Sequence, residues 1–338
     1  MNAPPADFRR VALASVDWDD RRFAVESHQP EEPIQSSISR HGILAPPWVL
    51  QTAAGKVAIV DGFKRMRFLR ERGEREVVCA VFPSHVKPRD LWAWRLEARL
   101  FGPPPNPAEK ARVAAILADG AFEAHLVSRL LEGFGLPRHP QGLARWTGLA
   151  RSEPVLLEAA ARGIVHERAA LELAGWPLPP GDRADFVSLL RHLRCSASIQ
   201  MEIIEGFRDV CMMLKRPVGD LLRCTEVRGI LDQPDWSHRE KTRAVREWLD
   251  ELRLPRLKAR ERLFRARLRR KPPPAGTTVA PPPSFEGSQW RLEMVFSCDD
   301  ELRRRLGELE VWVESDGVKA LLMPEQAVEP RGRLRDDP

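Results

Sequence analysis

Tyrosine is absent from this 338-residue chain, lysine occurs only nine times, and there are five cysteines. Cys79, Cys195, Cys211, Cys224 and Cys298 stand far apart and form no Cys-x-x-Cys pair. That spacing excludes a disulfide framework and predicts reduced, mostly buried thiols. The eight histidines are equally scattered, so the sequence contains no zinc-ligand pattern. No apolar run approaches the ~20 residues a membrane-crossing helix needs. The opening MNAPPADFRR has no signal-peptide core. These last two absences predict a cytoplasmic protein with no membrane partner.

Arginine is plentiful. Of 54 basic residues 45 are arginine, the net charge is +6 and the isoelectric point is about 9.3. The planar guanidinium fork suits phosphate recognition. Arginine in place of lysine, beside abundant Ala, Pro and Gly, is also what a GC-rich genome writes, so only the clustering of arginines is read functionally. The basic balance is consistent with nucleic acid as a partner. The length allows two or three domains with their own cores.

The chain is organised around Lys56-Val-Ala-Ile-Val-Asp-Gly-Phe-Lys-Arg-Met-Arg-Phe-Leu-Arg-Glu-Arg-Gly73. Val57 to Val60 reads as a buried strand, Asp61-Gly62 as a turn, and Phe63 onward as a helix that Gly73 stops. A strand turning into a helix at glycine presents backbone N–H groups and the positive end of the helix dipole. Lys64, Arg65 and Arg67 add charge there, and such a terminus suits a phosphate group. By itself the pattern also fits an ordinary strand–turn–helix with a solvated basic face.

Upstream, Pro33-Ile-Gln-Ser-Ser-Ile-Ser-Arg-His-Gly-Ile-Leu-Ala-Pro-Pro-Trp-Val-Leu50 reads as a short helix, a glycine stop and a strand; Val77 to Phe82 supplies another strand. Together with Ile59-Val-Asp-Gly-Phe-Lys-Arg65, these segments resemble the N-terminal domain of ParB-type partition proteins. Asn106-Pro-Ala-Glu-Lys-Ala111 resembles the opening of that family's helical DNA-binding domain, and Gly163-Ile-Val-His-Glu-Arg-Ala169 resembles a later helix. The resemblance covers roughly residues 8 to 205. It implies a predominantly helical α+β architecture: a small mixed α/β ParB/sulfiredoxin-like domain at 8–101, then an all-α helix-turn-helix bundle at 106–252.

Members of the family bind CTP in the first domain and a specific DNA site in the second, and they close as dimers. By resemblance, Gly62, Phe63, Lys64 and Arg65 stand where the family's Gly-Glu-Arg-Arg turn meets the triphosphate. Gly42, Ile43 and Leu44 match the segment lining the same pocket. Where the family places a Glu-Asn-x-Gln-Arg box near nucleotide and Mg2+, this chain has Glu97-Ala-Arg-Leu-Phe101 and keeps only the acid. The resemblance therefore implies CTP with Mg2+ as ligand and at most weak CTP hydrolysis. Sulfiredoxin, an ATP-dependent reductase of the same fold, needs a thiolate where this chain has Phe63, so the sequence does not support that chemistry. For DNA, Leu136 to Trp146 aligns with the recognition helix, with Arg138, His139, Gln141 and Arg145 as candidates to meet phosphates or base edges. The Ser-Arg-Ser signature of that helix is missing, so the target would differ from the chromosomal partition site.

These readings imply double-stranded DNA as partner, a homodimer, a partition ATPase as a further partner, and association with the nucleoid. The alternative is a non-catalytic interaction protein that keeps the fold without reading DNA or nucleotide.

The rest of the chain is read from its residues. Residues 1 to 10 read as a loose tail and Val11 to Val16 as a first strand. The prolines of 102–107 mark a domain boundary. Helices are expected over 91–100, from Pro107 through Ala118, and over 122–133, 140–148, 154–162, 166–174, 182–193, 198–215, 218–231 and 236–252. Leu252 to Lys271 carries ten basic residues and one acid over an apolar stripe, either a packed surface helix or a phosphate-contacting one. Residues 272–283, with six prolines, read as a semi-rigid linker that, with the basic helix, makes up a segment at 253–283. A small unit at 284–323 is expected to hold one alternating strand around Trp290 to Phe296 and one helix. It is too small to bury its own apolar faces. A second copy is one cover for them, and the rest of the chain is the other.

Overall fold

In a computed structural model of the chain, residues 6–25, 32–52, 55–315 and 318 are described. The tip of the expected 284–323 unit, from 316 on, lies outside them apart from residue 318. The architecture is α+β and predominantly helical, with fifteen α-helices and two sheets among the described residues. The chain divides into two compact units, residues 1–204 and 205–338, and the proline-rich connector at 102–107 falls within the first.

The first unit opens with strand β1 (Asp7–Ala12), a 3-10 turn (Leu13–Ser15) and the short β2 (Val16–Asp17). The strand expected at 11–16 is thus two strands, and the first begins inside the expected tail. The reason is long-range: β1 gains a partner in β5 (Glu76–Phe82), pairing antiparallel from Asp7 opposite Val81 to Ala12 opposite Glu76. Between them in sequence lie α1 (Glu32–His41), β3 (Trp48–Gln51), β4 (Val57–Asp61) and α2 (Phe63–Glu71). The strand order is β1-β5-β3-β4-β2, with β3 parallel to β5 and antiparallel to β4.

The β4 strand shows no polar alternation because both sheet faces are covered. Val57 and Ile59 join Val49, Met66, Leu69, Val77 and Cys79 in a core that Ile34 and Phe68 flank. Val60 instead joins Phe23, Leu50, Phe82 and Leu91. Leu91 belongs to α3 (Pro88–Arg99), which closes that second core.

Next come α4 (Pro107–Asp119), α5 (Ala124–Gly133), α6 (Pro140–Ala150), α7 (Pro154–Ala161), α8 (Glu167–Gly175) and α9 (Pro180–Leu193). Asn106 and Glu109 form a capping box that starts α4: the Asn106 side chain accepts from the Glu109 N–H at 2.9 Å, and Glu109 accepts from the Asn106 N–H at 3.1 Å. Helix α6 packs against α4 and α8, and α7 packs against α4, α8 and α9. Gln200, 1 % exposed, ties down the Gly163 to His166 turn: it accepts from the His166 N–H at 2.9 Å and donates to the Ile164 carbonyl at 2.8 Å. Gln200 lies on α10 (Ala197–Leu214), which continues past residue 204.

In the second unit the single helix expected over 218–231 is two, α11 (Val218–Leu222) and α12 (Thr225–Leu231). Cys224 is extended between them and its sulfur accepts from the Val227 N–H at 3.5 Å, so it caps α12. Helix α13 (His238–Arg253) starts on a Ser237–Glu240 capping box, and Pro255 begins α14 (Pro255–Arg270). The expected linker contains a strand, β6 (Thr277–Ala280), which pairs antiparallel with β7 (Arg291–Met294) before α15 (Asp299–Glu314). The unit thus has a hairpin where one strand was expected. Phe264 of α14 meets Phe285 and Trp290 with ring centres 5.8 and 5.7 Å apart, and Trp312 donates to the Lys271 carbonyl at 3.3 Å.

Candidate nucleotide cavity and helix-turn-helix

Gly62 has φ +87° and ψ 25°, the left-handed region that L side chains avoid, and it forms the N-cap of α2. A Cβ there would lie 3.1 Å from the Pro47 Cβ, so the turn has little room for one. Gly42, at φ +69°, ends α1, its N–H donating to the Ile38 carbonyl at 2.9 Å. These two glycine turns bring Gly42, Ile43, Leu44, Gly62, Phe63, Lys64 and Arg65 to the wall of one cavity of about 630 Å³. The first N–H groups of a helix such as α2 have no intrahelical acceptor.

Glu97 lies elsewhere. It is ion-paired with Arg129 and lines a separate cavity with His125. The carboxylates at the first cavity are instead Asp61 and Glu109. Asp61 Oδ2 accepts from Arg65 Nη2 at 2.8 Å and Oδ1 accepts from Arg95 Nε at 3.3 Å. Arg65 also donates to the Ala45 carbonyl and Arg95 to the Phe23 carbonyl. Burial lowers the Arg95 pKa from its usual value, while the Asp61 carboxylate pulls it back up. Glu109, 5 % exposed, accepts from Arg99 Nη2 at 3.3 and 3.2 Å while serving the α4 cap. Arg99 also donates to the Pro103 carbonyl at 2.6 Å.

Arg95 and Arg99 were missed in the sequence. Their spacing of four places them on one face of α3, and that was the available signal. Lys64, Arg65, Arg95 and Arg99 give the cavity four cationic side chains against two carboxylates.

The expected DNA-reading residues sit on α6 and the turn before it. His139 is the N-cap of α6, its Nδ1 accepting from the Gly142 N–H at 3.0 Å. Gln141 and Arg145 lie on the exposed face of α6. Arg145 pairs with Glu172 at 2.6 Å, and Arg138 with Glu132 at 2.7 Å. Ala144 and Gly148 share the exposed face of α6. Among the described residues no group of three His, Cys, Asp or Glu side chains is placed to hold a metal ion, and no helix is long and apolar enough to cross a membrane.

No protein-family model matches the chain, and no curated protein does. Solved structures similar to it include the C-terminally truncated chromosome-partitioning protein ParB of Caulobacter crescentus complexed with CTP-γ-S. That one is 15 % identical, covers 54 % of this chain and 98 % of its own, and has a TM-score of 0.25. The same Caulobacter protein complexed to the centromeric parS site is 14 % identical over 57 % of this chain and 96 % of its own, with a TM-score of 0.32. A Pnob8-like ParB-N domain is 12 % identical over 72 % of this chain and 99 % of its own, also at 0.32. All three are ParB-type proteins, the class whose motifs the sequence resembles.

Proposed function

We propose that this chain is a DNA-binding ParB-like protein whose N-terminal cavity takes a nucleoside triphosphate, CTP by resemblance, and that it acts in DNA partition, plasmid maintenance or regulation. The observation that carries the reading is the convergence of two separate sequence segments, Gly42 to Leu44 and Gly62 to Arg65, on one cation-lined cavity at the start of α2. The triphosphate would lie against that terminus and the Lys64 and Arg65 side chains. DNA would meet the exposed face of α6. The protein would work as a homodimer, with a partition ATPase as a further partner and the nucleoid as its location.

Titration calorimetry with CTP, ATP and GTP, with and without DNA, tests the cavity. Heat with CTP is expected, and no heat with any of the three removes it. Retention on DNA across a salt series tests the second half of the reading, because only phosphate contacts give a steep salt slope. A second reading draws on the ion pairs of Arg138 and Arg145: with both engaged by glutamates, the bundle would serve as a protein-contact platform, and DNA retention would be absent at every salt concentration.

A further inference from the structure

The triphosphate reading of the Gly62 cavity brings magnesium with it, and the carboxylates present do not fit that ion. Magnesium bound beside a nucleotide takes one or two protein carboxylates together with the phosphates and waters. Each candidate acid is committed elsewhere. Asp61 gives one oxygen to Arg65 and the other to Arg95. Glu109 accepts from Arg99 with both oxygens, and Oε2 also holds the Asn106 N–H that starts α4. Glu97 is paired with Arg129 and does not line the cavity. Pulling Glu109 onto a metal would give up the Asn106 N–H, half of the α4 capping box, and leave the Arg99 guanidinium without its carboxylate; pulling Asp61 away would strip the largely buried Arg95 of its counter-ion, a costly step.

The same residues supply what the metal would have supplied. A guanidinium carries five N–H donors in a fixed fork, so an arginine already bonded to a carboxylate keeps donors for a phosphate. Arg65 and Arg95, joined through Asp61, and Arg99, reaching from the last turn of α3, surround the cavity beside Lys64.

We propose that this cavity binds its nucleoside triphosphate without a divalent cation, the charge being neutralised by Arg65, Arg95, Arg99 and Lys64, with Asp61 acting as the internal counter-ion of two arginines and not as a metal ligand. The proposal rests on the nucleotide reading above.

The test is titration of the full-length protein with CTP in excess magnesium and again in excess EDTA. The same affinity in both is expected. Binding that disappears in EDTA and returns with magnesium overturns the proposal while leaving the nucleotide reading intact; no binding in either overturns both. Two variants, each checked for folding by circular dichroism, assign the roles. Arg99→Gln is expected to weaken CTP at least about tenfold, equally in magnesium and EDTA. Asp61→Asn releases Arg65 and Arg95 from their carboxylate and is expected to keep or tighten binding in both buffers. If Asp61 were a metal ligand, the same variant would weaken binding in magnesium alone, and that result overturns the assignment. The comparison of buffers on the unaltered chain stands even if either variant fails to fold.

Discussion

At the residue scale, Cys79 and Gly62 show how position changes the behaviour of an ordinary side chain. Cys79 is fully buried on β5, and burial pushes its thiol up to about 11 from an ordinary 9.0; the same cause takes the Cys224 thiol to about 11. A protonated thiol is a poor nucleophile. In the native protein Cys298, which is exposed, should therefore react with iodoacetamide at mildly alkaline pH while Cys79 and Cys224 stay unmodified until denaturant is added; mass spectrometry of the labelled peptides checks this. The linkage has a definite sign. An acid whose native pKa is raised resists ionisation only in the folded state, so stability is whole below pH 9 and falls as pH climbs towards 11, which urea midpoints across that window would reveal. For Gly62, alanine would have to sit in the left-handed region beside Pro47. The expected cost is about 1–2 kcal/mol in denaturant melts, with weaker anion binding because the N-cap must shift.

At the element scale, α6 is the testable unit. It is anchored by Trp146 and Leu149 in the core and leaves Gln141, Arg145 and Arg151 outside. The Arg138 and Arg145 ion pairs are solvent-exposed, so each contributes little to folding. Replacing both arginines with alanine should leave the melting curve nearly unchanged. In DNA binding it should cost roughly 1–3 kcal/mol for each arginine that reads a base edge, or lower the salt slope if the arginines meet phosphate. Filter-binding across salt concentrations separates the two, and unchanged binding removes α6 from the DNA site. On the basic helix α14, Lys258 pairs with Asp250 and Glu261, Arg262 with Glu251 and Arg265 with Glu261, which answers part of its charge within the second unit.

At the scale of the whole molecule, the C-terminal hairpin and α15 present an exposed apolar surface. Leu292, Val295, Phe296, Leu306, Val311 and Val313 are each at least 45 % exposed, and α15 has no buried residue. An apolar surface of this kind marks an interaction site, and a two-stranded sheet offers an unpaired edge to a second copy. The full chain is expected to sediment as a dimer. A Leu306→Asp, Val311→Asp variant is expected to be monomeric at tens of micromolar; equal oligomeric states in the two proteins would show that any dimer forms elsewhere.

The sequence by itself determined most helices, the β3-β4-α2-β5 run and the glycine turn at Gly62, because periodicity, capping residues and glycine conformations act within a few residues of chain. Asn106 as the cap of α4, with Pro107 at its first position, follows from the same short-range chemistry. Only the tertiary structure decided that the edge strand starts at Asp7, since an edge strand exists only where a partner lies beside it, here β5 from some seventy residues away. It likewise decided that proline-rich 272–283 holds a strand, because β7 supplies the ladder that composition does not announce. The cavity divides along the same line. Gly62 to Arg65 was readable as a local turn and Gly42 to Leu44 through the resemblance to ParB-type proteins, whereas the pairing of Asp61 with Arg95, of Glu109 with Arg99 and of Glu97 with Arg129 depends on which element faces which, and side-chain charge at those positions is the same in the sequence whichever way the elements turn.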